Sequence, residues 1–114
     1  MSKTYAVNGP SASGTANKTA VNIIGSTAIR PMVVEFAVGV TTAPNSTDQQ
    51  VEFAIGRTTA AGTAGASPTP LALDNGDAAA VSTAGITHSA EPTYASAFFM
   101  DQGMNQRGMF RWVA

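Results

Sequence analysis

Apolar positions in this chain come in short runs with a period of two. The clearest are "VEFAVGVTTA", Val34 to Ala43, and "VEFAIGRTTA", Val51 to Ala60, two near-copies set seventeen positions apart. In the first, Val34, Phe36 and Val38 share one face while Val33, Glu35 and Ala37 share the other. In the second, Val51, Phe53 and Ile55 repeat the apolar face, and Glu52 and Ala54 the opposite one. That alternation places side chains on the two sides of a strand. The intervening "APNSTDQQ" is rich in turn formers, so the simplest expectation is an antiparallel pair with both apolar faces on one side. Gly39 and Gly56 fall at equivalent points and are expected to mark bends or bulges.

The rest of the chain reads the same way. Thr4–Asn8 and Thr19–Gly25 are candidate strands, and Pro31 suits the start of another because it lacks the N–H of a central ladder. A strand is expected around Ala97–Met100, followed by a turn in "DQGMNQ" and a last strand in "RGMFRWVA". In that last strand Gly108, Phe110 and Trp112 lie on one face, and Arg107, Met109, Arg111 and Val113 on the other. Asp74 to Asp77 predicts a turn, with Asp77 as cap of a short helical turn through Val81. "TTAAGTAGASPTP" is low in complexity and predicts a loop or arm. No long stretch keeps apolar residues at helical spacing. The expected fold is therefore all-β, with antiparallel sheets and long loops in a β-sandwich or jelly-roll-like arrangement. It is expected as one domain over 1–114, with flexible or extended segments at about 9–18 and 58–70.

Composition changes the picture in two ways. Charged residues are 11% of the chain, six basic and seven acidic, for a net charge of −1. A nucleic-acid-binding face needs a concentration of phosphate-neutralising cations, so direct binding to nucleic acid is not expected. A sparsely charged surface also does little to keep copies apart, which favours homo-oligomerisation or assembly. The chain has no Cys, which removes disulfides, thiolate metal sites and cysteine nucleophiles. "MSKTYAVNGPSASG" lacks the apolar core of a signal peptide and no run approaches a membrane span, so synthesis and assembly in a cytoplasm are expected. The sequon matches at Asn17 and Asn45 are then turn residues.

Catalytic constellations are missing. "GPSASGTANKT" has the glycine gap of a phosphate loop, Gly9 to Gly14, but Thr15-Ala16 stand where Lys and Ser or Thr belong. Asp74, Asn75 and Asp77 are not followed by the bidentate Glu of a calcium loop. His88 is the single histidine, and no nucleophile elbow accompanies it. Glu35 and Glu52 facing each other across a hairpin would be a carboxylate pair, a pattern far commoner on a solvated sheet face than in a glycosidase site. No enzyme activity, cofactor or metal is expected. The remaining candidates are the aromatics Phe98, Phe99, Phe110 and Trp112, as core or as a binding patch, with Arg107 and Arg111 as interface anchors.

Five stretches, "KTYAVNGPSASG", "TAIRPMVVEFAVG", "LALD" with the Ala-rich residues after it, "HSAEPTY" and "NQRGMFRWVA", span most of the chain in a telling order. On these the sequence resembles small head-associated virion proteins of tailed bacteriophages, of the decoration or cement type. The resemblance implies a β-sandwich or jelly-roll unit on the capsid surface, usually a homotrimer, that stabilises the head lattice by binding between subunits of the major capsid protein. Chains of that kind continue past the equivalent of "RWVA" with another strand-forming segment, from which this sequence departs. The alternative expectation is a head-fibre or tail-associated module that recognises host-surface glycans or protein, for which exposed Phe110 and Trp112 would be the sign.

Overall fold

A computed structural model describes residues 3–10, 17–40, 43 and 45–114. Eight strands lie among them, and no helix: β1 (Tyr5–Ala6), β2 (Asn22–Ile24), β3 (Glu35–Gly39), β4 (Gln50–Ala60), β5 (Leu71–Ala72), β6 (Thr83–Gly85), β7 (Thr93–Asn105) and β8 (Met109–Val113). They pair two by two, β1 with β5, β2 with β6, β3 with β8 and β4 with β7. The chain gathers into two compact units. One comprises Met1–Pro31 and Thr58–Tyr94, the other Met32–Arg57 and Ala95–Ala114. The expected all-β class with antiparallel pairing is what these residues form.

In the first unit Tyr5 opposes Ala72, and Asn22, Ile23 and Ile24 oppose Gly85, Ala84 and Thr83, both pairs antiparallel. The Leu73 N–H extends the first ladder to the Thr4 carbonyl at 3.0 Å, and the Tyr5 hydroxyl donates to the Ala78 carbonyl at 2.9 Å. The segment expected at 58–70 as an arm is extended and tied down. Residues 58–60 continue β4, while Thr63 and Ala66 bridge to Ala90 and Ile86. Gly62 enters that segment at φ 69°, in the left-handed region where a Cβ is strained. Of the segment at 9–18, residues 11–16 lie outside the described residues.

In the second unit β3 pairs antiparallel with β8, Glu35 opposite Val113 through Gly39 opposite Met109. This corrects the expected hairpin: β3 and β4, the two sequence copies, are not hydrogen-bonded neighbours. They belong to different sheets. Equivalent residues instead meet through their rings, with Phe36 edge-on to Phe53 at 6.3 Å. Period-two patterning specifies which face is apolar, but not whether two such faces lie side by side or opposed. The connection after β7 behaves likewise, since β7 pairs with β4 and β8 with β3.

Two smaller expectations are also corrected. "DQGMNQ" is not the turn, because β7 runs on to Asn105 and the reversal spans Asn105–Gly108, closed by the Gly108 N–H on the Asn105 carbonyl at 2.9 Å. Nor does Asp77 begin a helical turn. The chain makes an Asx turn there, with the Gly76 N–H on Asp74 Oδ1 at 2.9 Å and the Asp77 N–H on the Asp74 carbonyl at 3.0 Å. Along β4 the half-buried positions are 51, 53 and 55 up to Gly56, and 56 and 58 from it onward.

Candidate functional site

The second unit is organised around four rings. Phe36 stacks on Trp112 at 5.6 Å and lies 5.9 Å from Phe110, and Phe110 in turn lies 5.2 Å from Phe53. Position explains the cluster: Phe36 opposes Trp112 in the β3–β8 register, and alternation carries Phe110 to the same face. All four are half-buried. Phe110 and Trp112 thus pack against the rings of their own unit while remaining half-exposed.

The opposite face of the same strands carries the charges. Arg111 Nε donates to Glu35 Oε1 at 2.5 Å, which raises the guanidinium pKa. Glu35 and Glu52 do not face each other as expected, because their strands are in different sheets. Glu52 lies instead beside Asp101, whose hydrogen bond and like charge raise the Glu52 carboxyl above its usual value of 4.5. Arg57 sits over the Phe99 ring at 5.7 Å. Arg107 lies in the turn after β7, with its N–H on Asn105 Oδ1 at 2.9 Å. The six candidate interface residues are therefore split: Phe110 and Trp112 pack inward, whereas Phe98, Phe99, Arg107 and Arg111 are exposed.

Sequence reasoning missed Gln106. Its side chain is buried and closes three hydrogen bonds to the loop between β3 and β4, to the carbonyls of Asn45 (3.3 Å) and Thr47 (3.2 Å) and from the Asn45 N–H (3.1 Å). Its own N–H reaches the Gln49 carbonyl at 3.0 Å. A lone Gln in a polar stretch carries no periodicity that marks it as buried.

The first unit holds the polar interior. Thr19 is buried, its N–H on Glu91 Oε2 at 2.9 Å and its hydroxyl 2.7 Å from that of Tyr94. Lys18 Nζ faces Glu91 Oε1 at 3.6 Å, and together these contacts pull the Glu91 carboxyl below 4.5, the Thr19 N–H foremost. His88 is a loop residue, as expected, and buried. It lies against Gly85, where a Cβ would come 2.6 Å from Asn22 Oδ1 and 3.1 Å from His88 Nε2. Gly85 therefore provides room for both side chains. Among the described residues no group of three or more His, Cys, Asp or Glu is placed to hold a metal ion.

Apolar surface is the dominant remaining feature. Among the described residues the buried apolar side chains are those of Ala84, Pro70 and Pro92, and no large side chain is fully buried. Met32 (81% exposed), Phe99 and Met109 (70% each) are the extremes in the second unit, with Val33, Val34, Val40, Phe98 and Val113 also exposed. Every described strand has one paired edge, leaving the other without a partner strand among the described residues. No family model matches the chain, and no match is found among curated proteins or solved structures.

Proposed function

We propose that this chain is a non-enzymatic structural protein whose work is assembly, and specifically a capsid decoration or cement protein that binds between major capsid subunits. The observation that carries the assembly reading is the imbalance just described: open sheet edges and exposed large apolar side chains around interiors with little apolar burial. Exposed apolar patches beyond scattered single residues mark interaction surfaces. Unpaired strand edges are templates for another chain. The capsid as destination rests on the likeness of the five sequence stretches to head-associated virion proteins, which also implies a sandwich-like unit in rings of three copies. The contact of Phe36 on β3 with Phe53 on β4, strands of different sheets, supports a sandwich, whose core is built from side chains of two sheets.

The mechanism is mechanical. Many modest contacts, repeated around the lattice and held at high local concentration, resist expansion or rupture of the head without any reactive group. A head-fibre or tail module reading glycans is the weaker reading, because Trp112 and Phe110 stack on rings of their own unit. The test is co-sedimentation of the purified protein with undecorated phage heads. Saturable binding that raises the temperature of head rupture is expected. Absence of binding to heads of every maturation state, together with binding to host-surface polysaccharide, would overturn the capsid reading.

A further inference from the structure

The free edge of β3 has a register that fits a second copy of itself. The Ala114 N–H donates to the Val34 carbonyl at 2.8 Å, which makes Val34 and Ala114 a hydrogen-bonded pair. Antiparallel ladders alternate such pairs with non-bonded ones. Phe36 and Val38 therefore turn their backbone groups toward β8, whereas Glu35, Ala37 and Gly39 turn theirs away from it. Among the described residues no strand pairs with that outer edge.

We infer that two copies of this chain join by antiparallel pairing of β3 with β3, about a two-fold axis at Ala37. An axis at any strand position uses the outward groups, but only one at Ala37 pairs the five strand residues wholly with one another. An axis at Phe36 carries Gly39 beyond the partner's strand. An axis at Glu35 sets two carboxylates directly opposite each other, which is destabilising. An axis at Val38 or Gly39 carries Glu35 beyond the partner's strand. With Ala37 on the axis all five strand residues pair. Glu35 falls opposite Gly39 with no like charges facing, and the smallest side chains meet at the centre. Phe36 falls opposite Val38, and Val34 opposite Val40. Those last two are both exposed in the single chain, at 43% and 42%, and both lie on the face that carries Phe36.

The pairing turns two two-stranded sheets into one of four strands, in the order β8, β3, β3 of the second copy and its β8. Two-stranded sheets are marginal alone, and stability comes with three or more strands sharing an apolar face. The ring face of one copy continues directly into that of the other, because residues opposed in an antiparallel ladder point the same way. This inference concerns the chain by itself and does not depend on the capsid reading. It joins copies in twos, which separates it from a ring of three.

The test uses the absence of cysteine from the chain. Ala37→Cys places single thiols across the axis, where Cα atoms of a bonded pair stand about 5.5 Å apart, within the reach of a disulfide. Ala6→Cys in β1 is the control. Mild oxidation is expected to link most of the Ala37→Cys protein as a dimer at low micromolar concentration, and at least tenfold less of the control. In parallel, Ala37→Pro removes the outward N–H without touching the ladder to β8, and is expected to shift the light-scattering mass from dimer to monomer with the circular dichroism spectrum retained. Equal crosslinking of both cysteine variants, a wild-type monomer or trimer, or a dimer unaffected by Ala37→Pro would each overturn the inference. If Ala37→Pro fails to fold, the crosslinking comparison decides alone.

Discussion

Gln106 shows how much one polar side chain can hold. Its amide serves three backbone groups of Asn45 and Thr47, which lie outside any strand, from a buried position. Truncation strands those groups. Gln106→Ala is expected to cost about 1–3 kcal/mol, read as a lowered midpoint in urea unfolding, whereas Arg111→Ala should cost less than about 1 kcal/mol because its ion pair with Glu35 is exposed. An equal effect of the two would contradict this assignment. The carboxylates Glu52 and Glu91 act in opposite directions with pH. Glu52, raised by Asp101, favours the folded state below the ordinary carboxyl value and loses that contribution as pH rises through its folded pKa. Glu91, lowered by the Thr19 N–H, contributes above the ordinary value and loses it as pH falls. Glu91→Gln should therefore flatten the acid side of the stability profile, and Glu52→Gln should remove the decline above pH 4.5. Unfolding midpoints measured from pH 3 to about 7 check both.

The strands themselves were largely readable from alternation. Both sequence copies are strands with Phe36 and Phe53 facing inward, and β8 alternates as its residues predict. What alternation does not encode is pairing. A period of two fixes faces, not neighbours, so the near-identity of β3 and β4 suggested one hairpin where the two strands belong to different sheets. The ends of strands were also hidden. Asp101, Gln102 and Gly103 resemble a turn by composition, yet pairing with β4 draws them into β7. The candidate site was half visible: the aromatic and Arg residues stood out, but Gln106 and the buried polar group around Thr19, Asn22 and His88 did not. Gly62 shows the backbone side of the same problem. It follows β4 at φ 69°, and a Cβ there would come 2.7 Å from the Pro92 nitrogen. Gly62→Ala is expected to cost about 1–3 kcal/mol and to weaken the Thr63–Ala90 bridge, measured as faster amide exchange at Thr63. Unchanged exchange would show that the bridge tolerates the strain.

For the whole molecule, the sparse apolar interior is what sets the account. Isolated two-stranded sheets, half-buried rings and exposed Val, Met and Phe side chains are a poor basis for a stable single chain and a good one for a chain that completes its core with other copies. With 11% charged residues, little repulsion opposes that contact. The same features explain why no catalytic chemistry is needed for the proposed role, since every part of it is burial and backbone pairing. Self-association is thus the central claim, and solution mass tests it most directly. Light scattering of the purified chain over a hundredfold concentration range is expected to show a defined oligomer, its unfolding midpoint rising with concentration. A monomer at every concentration, unfolding at one fixed midpoint, would contradict the claim.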